Sequence, residues 1–168
     1  HQDLSFKGPQ SSLYVTLRSP LSQSSAKGQV LMEAWVKLLN DQLNAYSYPA
    51  QLAGQGYSLY SHMRGLGLRL YGYRNKQDVL LQKVLQELKD YAPKKDQWQR
   101  VAQELKRGFE NSLLQKPYER SMSELSLYML KPSYDEQTLL QALSTLTRDD
   151  LVQYSEKFWQ ALDVAVLG

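Results

Sequence analysis

The stretch GYSLYSHMRGLGLRLYGYRNK, residues 56–76, gathers the side chains of widest chemical range in this chain. It holds an imidazole at His62, glycines at Gly65 and Gly67, arginines at Arg64, Arg69 and Arg74, and tyrosines at Tyr57, Tyr60, Tyr71 and Tyr73. Three chemistries could use such a set. A Gly-x-Gly turn cradles phosphate when its N–H groups converge at a helix N-terminus. A histidine can ligate a metal or act as a base. Tyrosines sharing one sheet face can hold a peptide through ring stacking and hydroxyl hydrogen bonds.

The first two lose their partners on inspection. Gly65-Leu66-Gly67 begins like a phosphate fingerprint, but Leu70 stands where the third glycine belongs, no Walker-type G-K-[ST] is present, and the segment continues as a strand. The only other histidine is His1, and neither it nor His62 belongs to H-E-x-x-H, H-x-x-E-H or an i, i+4 pair. One imidazole with scattered carboxylates is a poor zinc site. No G-x-S-x-G motif supplies a serine nucleophile, so no residue qualifies as catalytic and none as a metal ligand. Acid pairs at Asp135-Glu136 and Asp149-Asp150 fall at expected helix starts, where negative charge complements the helix dipole. The 12 tyrosines leave two readings open, a rim around the core with hydroxyls in water or a face for peptide.

The elements that must position these residues follow from periodicity. LYVTLR, residues 13–18, alternates as a half-buried strand and stops at Ser19-Pro20. From Ala26 to about Ala53, Val30, Leu31, Ala34, Trp35, Leu38, Leu39, Leu43 and Tyr46 recur at helical spacing, which predicts a long helix with one buried face. Pro49 is expected to break or kink it, and Leu52-Ala53-Gly54 to end it. The opening stretch then alternates with period two on both sides of Arg64-Gly65, which predicts two antiparallel strands. Helical stripes follow through Leu80–Tyr91, Trp98–Leu113, Met122–Met129 and Leu139–Leu146. Thr147 and Asp150 form a capping-box start for a last helix through Leu162, and DVAVL closes as a strand. The predicted class is α+β, a mainly antiparallel sheet with helices packed on one face.

Composition sets further bounds. A chain of 168 residues suits one domain, and zero cysteines exclude disulfides and thiolate chemistry. The net charge of +3 comes from interspersed charges, and the basic spots Lys94-Lys95 and Lys106-Arg107 read as solvated helix faces, so no nucleic-acid partner is expected. No run approaches the roughly 20 apolar residues that cross a bilayer, so no membrane partner is expected either. The start at His1 without methionine or signal pattern suggests a soluble, excised piece.

Several strings, in this order, resemble one family: DLSFKGPQSSLYVTLRSP, LLNDQLNAYSYPAQLAGQGYSLY, GLGLRLYGYRNKQDVLLQKVLQEL, QKPYERSM and TRDDLVQYSEKFWQALDVAVLG. The most specific pieces are Y-x-A-x-L-A-G, Tyr48 to Gly54, and G-Y-x-x-K, Gly72 to Lys76. The chain resembles the insulinase/pitrilysin zinc metallopeptidases, and within them the third, or middle, domain of long members of the insulin-degrading enzyme and bacterial protease III type. Gln55 departs from the pattern, since a leucine is common there. The D-x-x-F-x-x-P entry is kept at Asp3, Phe6 and Pro9.

The resemblance implies one non-catalytic domain of a four-domain peptidase whose two halves close around a peptide. Zinc would sit in the first domain, on an inverted H-x-x-E-H helix; here the corresponding helix, Ala26 to Asn44, has no histidine, so this piece carries no cofactor. Its partners would be the other domains of the parent chain and the enclosed peptide, and a protease III-like parent would be periplasmic. On the polar side of the predicted hairpin, Tyr60, His62, Arg69 and Tyr71 become the candidates for peptide contact. Two rivals remain: an architectural domain of the same fold, as in the core proteins of the respiratory bc1 complex, and an independent enzyme using His62 as base.

Overall fold

The computed structural model describes residues 10–22, 24–52, 54–62, 64–73, 77–114 and 133–167, with 45–51 described by backbone alone. Strict alternation builds the sheet. In β1 (Gln10–Arg18), Val15 and Leu17 point inward and are buried, while Tyr14, Thr16 and Arg18 point outward. In β3 (Gly65–Tyr73), Leu66, Leu68 and Leu70 are wholly buried, each worth about 2 kcal/mol of apolar burial. With β2 (Gln55–His62) and β4 (Asp163–Leu167) they form one sheet in the order β2-β3-β1-β4, with every neighbouring pair antiparallel.

The helices cover one face of that sheet. α1 (Ala26–Leu52) lies against β2 and β3, and α2 (Gln77–Asp90), α3 (Lys95–Leu113), α4 (Glu136–Ser144) and α5 (Arg148–Gln160) all touch α1. A helix between a sheet and other helices needs apolar residues around most of its girth. Met32 and Val36 are therefore buried along with Val30, Leu31, Ala34, Trp35, Leu38, Leu39 and Leu43, so burial extends past the single expected face. The expected break at Pro49 does not end the helix, which continues to Leu52. Its stop is at Gly54, whose φ of 71° suits glycine. The helix expected over Met122–Met129 to Pro132, and the entry residues Asp3, Phe6 and Pro9, lie outside the described residues.

Buried polar side chains fasten the sheet ends. Gln77, at the start of α2, donates its amide to the carbonyls of Ser11 (2.8 Å) and Gly72 (3.2 Å) and accepts from the Ser11 hydroxyl (2.9 Å). Gln55, the departure from the family pattern, donates to the Tyr73 carbonyl at 3.0 Å. That bond gives a buried amide its partner on the neighbouring strand. The acid pairs cap helices as expected: Asp135 accepts from the Thr138 N–H at 2.7 Å, and Asp150 accepts from the Thr147 N–H at 2.8 Å.

Under α5 lies an aromatic cluster. Trp35 meets Phe158 edge to face, with centroids 5.2 Å apart, and Trp159 at 6.3 Å. Trp35 Nε1, Trp159 Nε1 and the Tyr154 hydroxyl are buried there without a hydrogen-bond partner among the described residues, and burial pushes the Tyr154 phenol well above its usual range.

A tyrosine and arginine face on the sheet

The face of the sheet away from the helices is laid out by strand register, because directly opposed residues of antiparallel strands share a face. Three cross-strand rows result. The first is His62, Gly65, Arg18 and Asp163; the second is Tyr60, Gly67, Thr16 and Ala165; the third is Ser58, Arg69, Tyr14 and Leu167. Tyr71 follows in the next row, between Gly56 and Ser12. All four candidate residues, Tyr60, His62, Arg69 and Tyr71, thus stand on one face.

The glycines explain how the tyrosines lie. A Cβ at Gly67 would come within 2.4 Å of the Tyr60 ring, one at Gly56 within 2.4 Å of the Tyr71 ring, and one at Gly54 within 2.7 Å of the Tyr73 ring. Each ring lies down across a glycine, Gly67 and Gly56 in the neighbouring strand and Gly54 just before β2, because no side chain there props it upright. Of the two glycines that suggested a phosphate loop, Gly67 is a seat for tyrosine and Gly65 abuts the Leu17 carbonyl of β1. The three rings remain between 43% and 48% exposed, which leaves a broad aromatic surface open to solvent.

Arg69 sits within this surface. Its guanidinium lies 5.3 Å from the centroid of Tyr14 and 5.6 Å from that of Tyr71. Two rings flank one cation. Periodicity had put Tyr14 on the polar side of β1, but only the register Tyr14 to Arg69 shows that it belongs with the hairpin. Arg18 is likewise an addition that strand pairing reveals, whereas Tyr73, already among the tyrosines of the opening stretch, shares the face by alternation along β3. Arg18 faces Asp163 across an N–O distance of 3.7 Å.

His62 stands apart from the clamp, with its ring centroid 6.4 Å from that of Tyr60. Its Nδ1 accepts the Arg64 N–H at 3.1 Å, and its Nε2 is buried. Burial lowers its pKa first, the Arg18 and Arg64 charges add to that, and a backbone bond at Leu66 opposes them. A general base needs a free acceptor lone pair, and the acceptor nitrogen here is already engaged by the turn. Among the described residues no group of three or more histidine, cysteine, aspartate or glutamate side chains could hold a metal. A polar cleft of about 360 Å³ lies on the helical side, lined by Gln42, Lys83, Glu87, Tyr91 and Gln97, and includes none of the sheet-face tyrosines. No helix among the described residues is long and apolar enough to cross a membrane.

Comparison with known proteins fits this architecture. The family described as the middle or third domain of peptidase M16 matches residues 1–142. Insulin-degrading enzyme of Drosophila melanogaster is 29% identical over 161 residues, covering 96% of this chain and 16% of that protein. Insulin-degrading enzyme-like 2 of Arabidopsis thaliana is 31% identical over 152 residues, covering 90% of this chain and 16% of that protein. In the crystal structure of pitrilysin, a region superposes with a TM-score of 0.85 at 21% identity, covering 98% of this chain and 18% of that one. The chain therefore spans about a sixth of the length of the curated relatives it matches. With its sheet, its helices and the family match in agreement, this chain belongs to the insulinase/pitrilysin peptidases, as their middle or third domain.

Proposed function

We propose that this chain is a non-catalytic domain of a zinc metalloendopeptidase, one domain that forms part of the wall enclosing the peptide and supports the neighbouring domains of its parent chain. Zinc and the hydrolytic groups belong to another domain of that parent. The observation that carries the reading is the exposed face bearing Tyr60, Arg69 and Tyr71. Such a face, with flat rings, hydroxyls and a cation, suits an extended backbone and its side chains. His62 lies at its edge and is included as a contact through its ring.

The helix that would correspond to a zinc helix supports the non-catalytic part. Leu31, Trp35, Leu38 and Leu39 of α1 are packed into the core, where a metal ligand would need a polar neighbour. The architectural alternative is less favoured, because the matched curated relatives are named as peptide-degrading enzymes. A photo-crosslinking amino acid placed at Tyr60 or Tyr71 in the full-length parent tests the wall reading. Labelled peptide should be captured at both positions; capture only from other domains would remove this face from the chamber.

A further inference from the structure

We infer that Arg69 is a receptor for a peptide carboxylate, so that this face selects acidic segments of the enclosed peptide. The inference rests on the reading that the face meets peptide, and it adds the chemistry that the face would recognise.

Arg69 is oriented by two rings rather than by a carboxylate. Arg18, Arg100 and Arg148 each lie near a carboxylate, at 3.7, 2.6 and 3.1 Å from Asp163, Asp41 and Asp149. Arg69 instead has the rings of Tyr14 and Tyr71 beside it and no carboxylate among the described residues within ion-pair distance. Rings orient a guanidinium without consuming its N–H donors, which leaves the planar fork free for a bidentate carboxylate. Placement on β3, paired on both sides, fixes the backbone beneath it.

Charge across the face points the same way. Among its described residues, Arg18 and Arg69 stand against a single carboxylate, Asp163, which already faces Arg18. Arg64 adds a further positive charge at the hairpin turn. A segment with glutamate, aspartate or a free C-terminus supplies the missing counter-charge, whereas a lysine-rich one is repelled. Tyr60, two positions along from the Arg69 row, offers a ring on which the neighbouring peptide residue can rest.

The test uses two short fluorescein-labelled peptides identical except for glutamate or glutamine at alternate positions. Binding to the full-length parent is read by fluorescence anisotropy, with chelator present to stop cleavage. The glutamate peptide should bind about tenfold more tightly at low salt, with the preference shrinking as salt rises. Arg69→Gln should abolish the preference without weakening the glutamine peptide, and Arg69→Lys should restore only part of it. An unchanged preference in Arg69→Gln overturns the assignment, as does the lack of any preference in the unaltered chain. If both peptides still crosslink to Tyr60 and Tyr71 positions, only the carboxylate inference falls; if neither does, the wall reading falls with it.

Discussion

The ring of Tyr60 lies across Gly67, its directly opposed partner on β3, so closely that a Cβ on Gly67 would sit 2.4 Å from the ring carbon Cζ. The obstruction is the far end of a half-exposed side chain, so the ring can swing away. Gly67→Ala should cost about 1 kcal/mol or less and keep the fold. In a Tyr60→Ala background the same change should be neutral or stabilising, since alanine suits a strand better than glycine. Urea unfolding of the four-member cycle measures the coupling; a zero coupling energy would mean that ring and glycine do not depend on each other.

Gly65 gives the contrasting case. Its φ is 147°, and a Cβ there would lie 2.1 Å from the Leu17 carbonyl oxygen, a backbone atom of β1. Neither the dihedral nor the neighbouring strand can yield cheaply. Gly65→Ala should therefore cost on the order of 2–4 kcal/mol, several times the Gly67 change two residues away. Equal unfolding midpoints for the two variants would refute this account of the hairpin.

These two glycines also mark what could be read from sequence. Period-two alternation in Leu66, Leu68 and Leu70, and helical spacing in Trp98, Val101, Leu105 and Phe109, are local signals, and each buried set is found where that spacing puts it. The capping of α5 by Thr147 and Asp150 was equally local. Register was not. Nothing in the spacing of Tyr14 says that it stands opposite Arg69, because pairing between strands more than fifty residues apart depends on the whole sheet. The same gap hid the seating of Tyr60, Tyr71 and Tyr73 on glycines. The breadth of burial on α1, which takes in Met32 and Val36, was also out of reach, since most of the elements packed on α1 arrive later in the chain.

The contact between Trp35 and Phe158 joins α1 to α5. Trp35 is 1% exposed, and its indole N–H has no partner among the described residues, so the contribution seen there is volume and ring contact. Trp35→Phe removes an unsatisfied donor along with part of the ring and should cost about 1–2 kcal/mol. Trp35→Ala leaves a cavity and should cost about 3–5 kcal/mol. Chemical denaturation separates the two; a phenylalanine variant as unstable as the alanine variant would indicate that the N–H is bonded after all.

His62 sets a pH dependence whose sign follows from its environment. Its pKa is held below the model-peptide value of 6.5 by burial and by Arg18 and Arg64, so the folded state favours the neutral ring. The unfolded chain then takes up the proton first as pH falls. The contribution of neutral His62 is present above 6.5 and is lost as pH drops through the folded-state pKa. Urea unfolding between about pH 5 and 8 should show stability declining on the acid side, and His62→Gln should flatten that slope. An identical slope in both proteins would assign the acid sensitivity to other groups.

The last prediction concerns metal. A zinc site needs three or four ligands converging within about 2.0–2.3 Å of one point, with a second shell that orients them. α1 offers Leu31, Trp35, Leu38 and Leu39 on its packed sides, and His62, on the far face of the sheet, has its Nδ1 engaged by the Arg64 N–H. Equilibrating this chain with excess zinc and then removing free metal by gel filtration should leave well under one zinc per chain by elemental analysis. Its thermal midpoint should also be unmoved by zinc, because a metal that binds only the native state would raise it. One tightly held zinc per chain, with a matching rise in midpoint, would place a metal site in this domain and overturn its assignment as a non-catalytic wall.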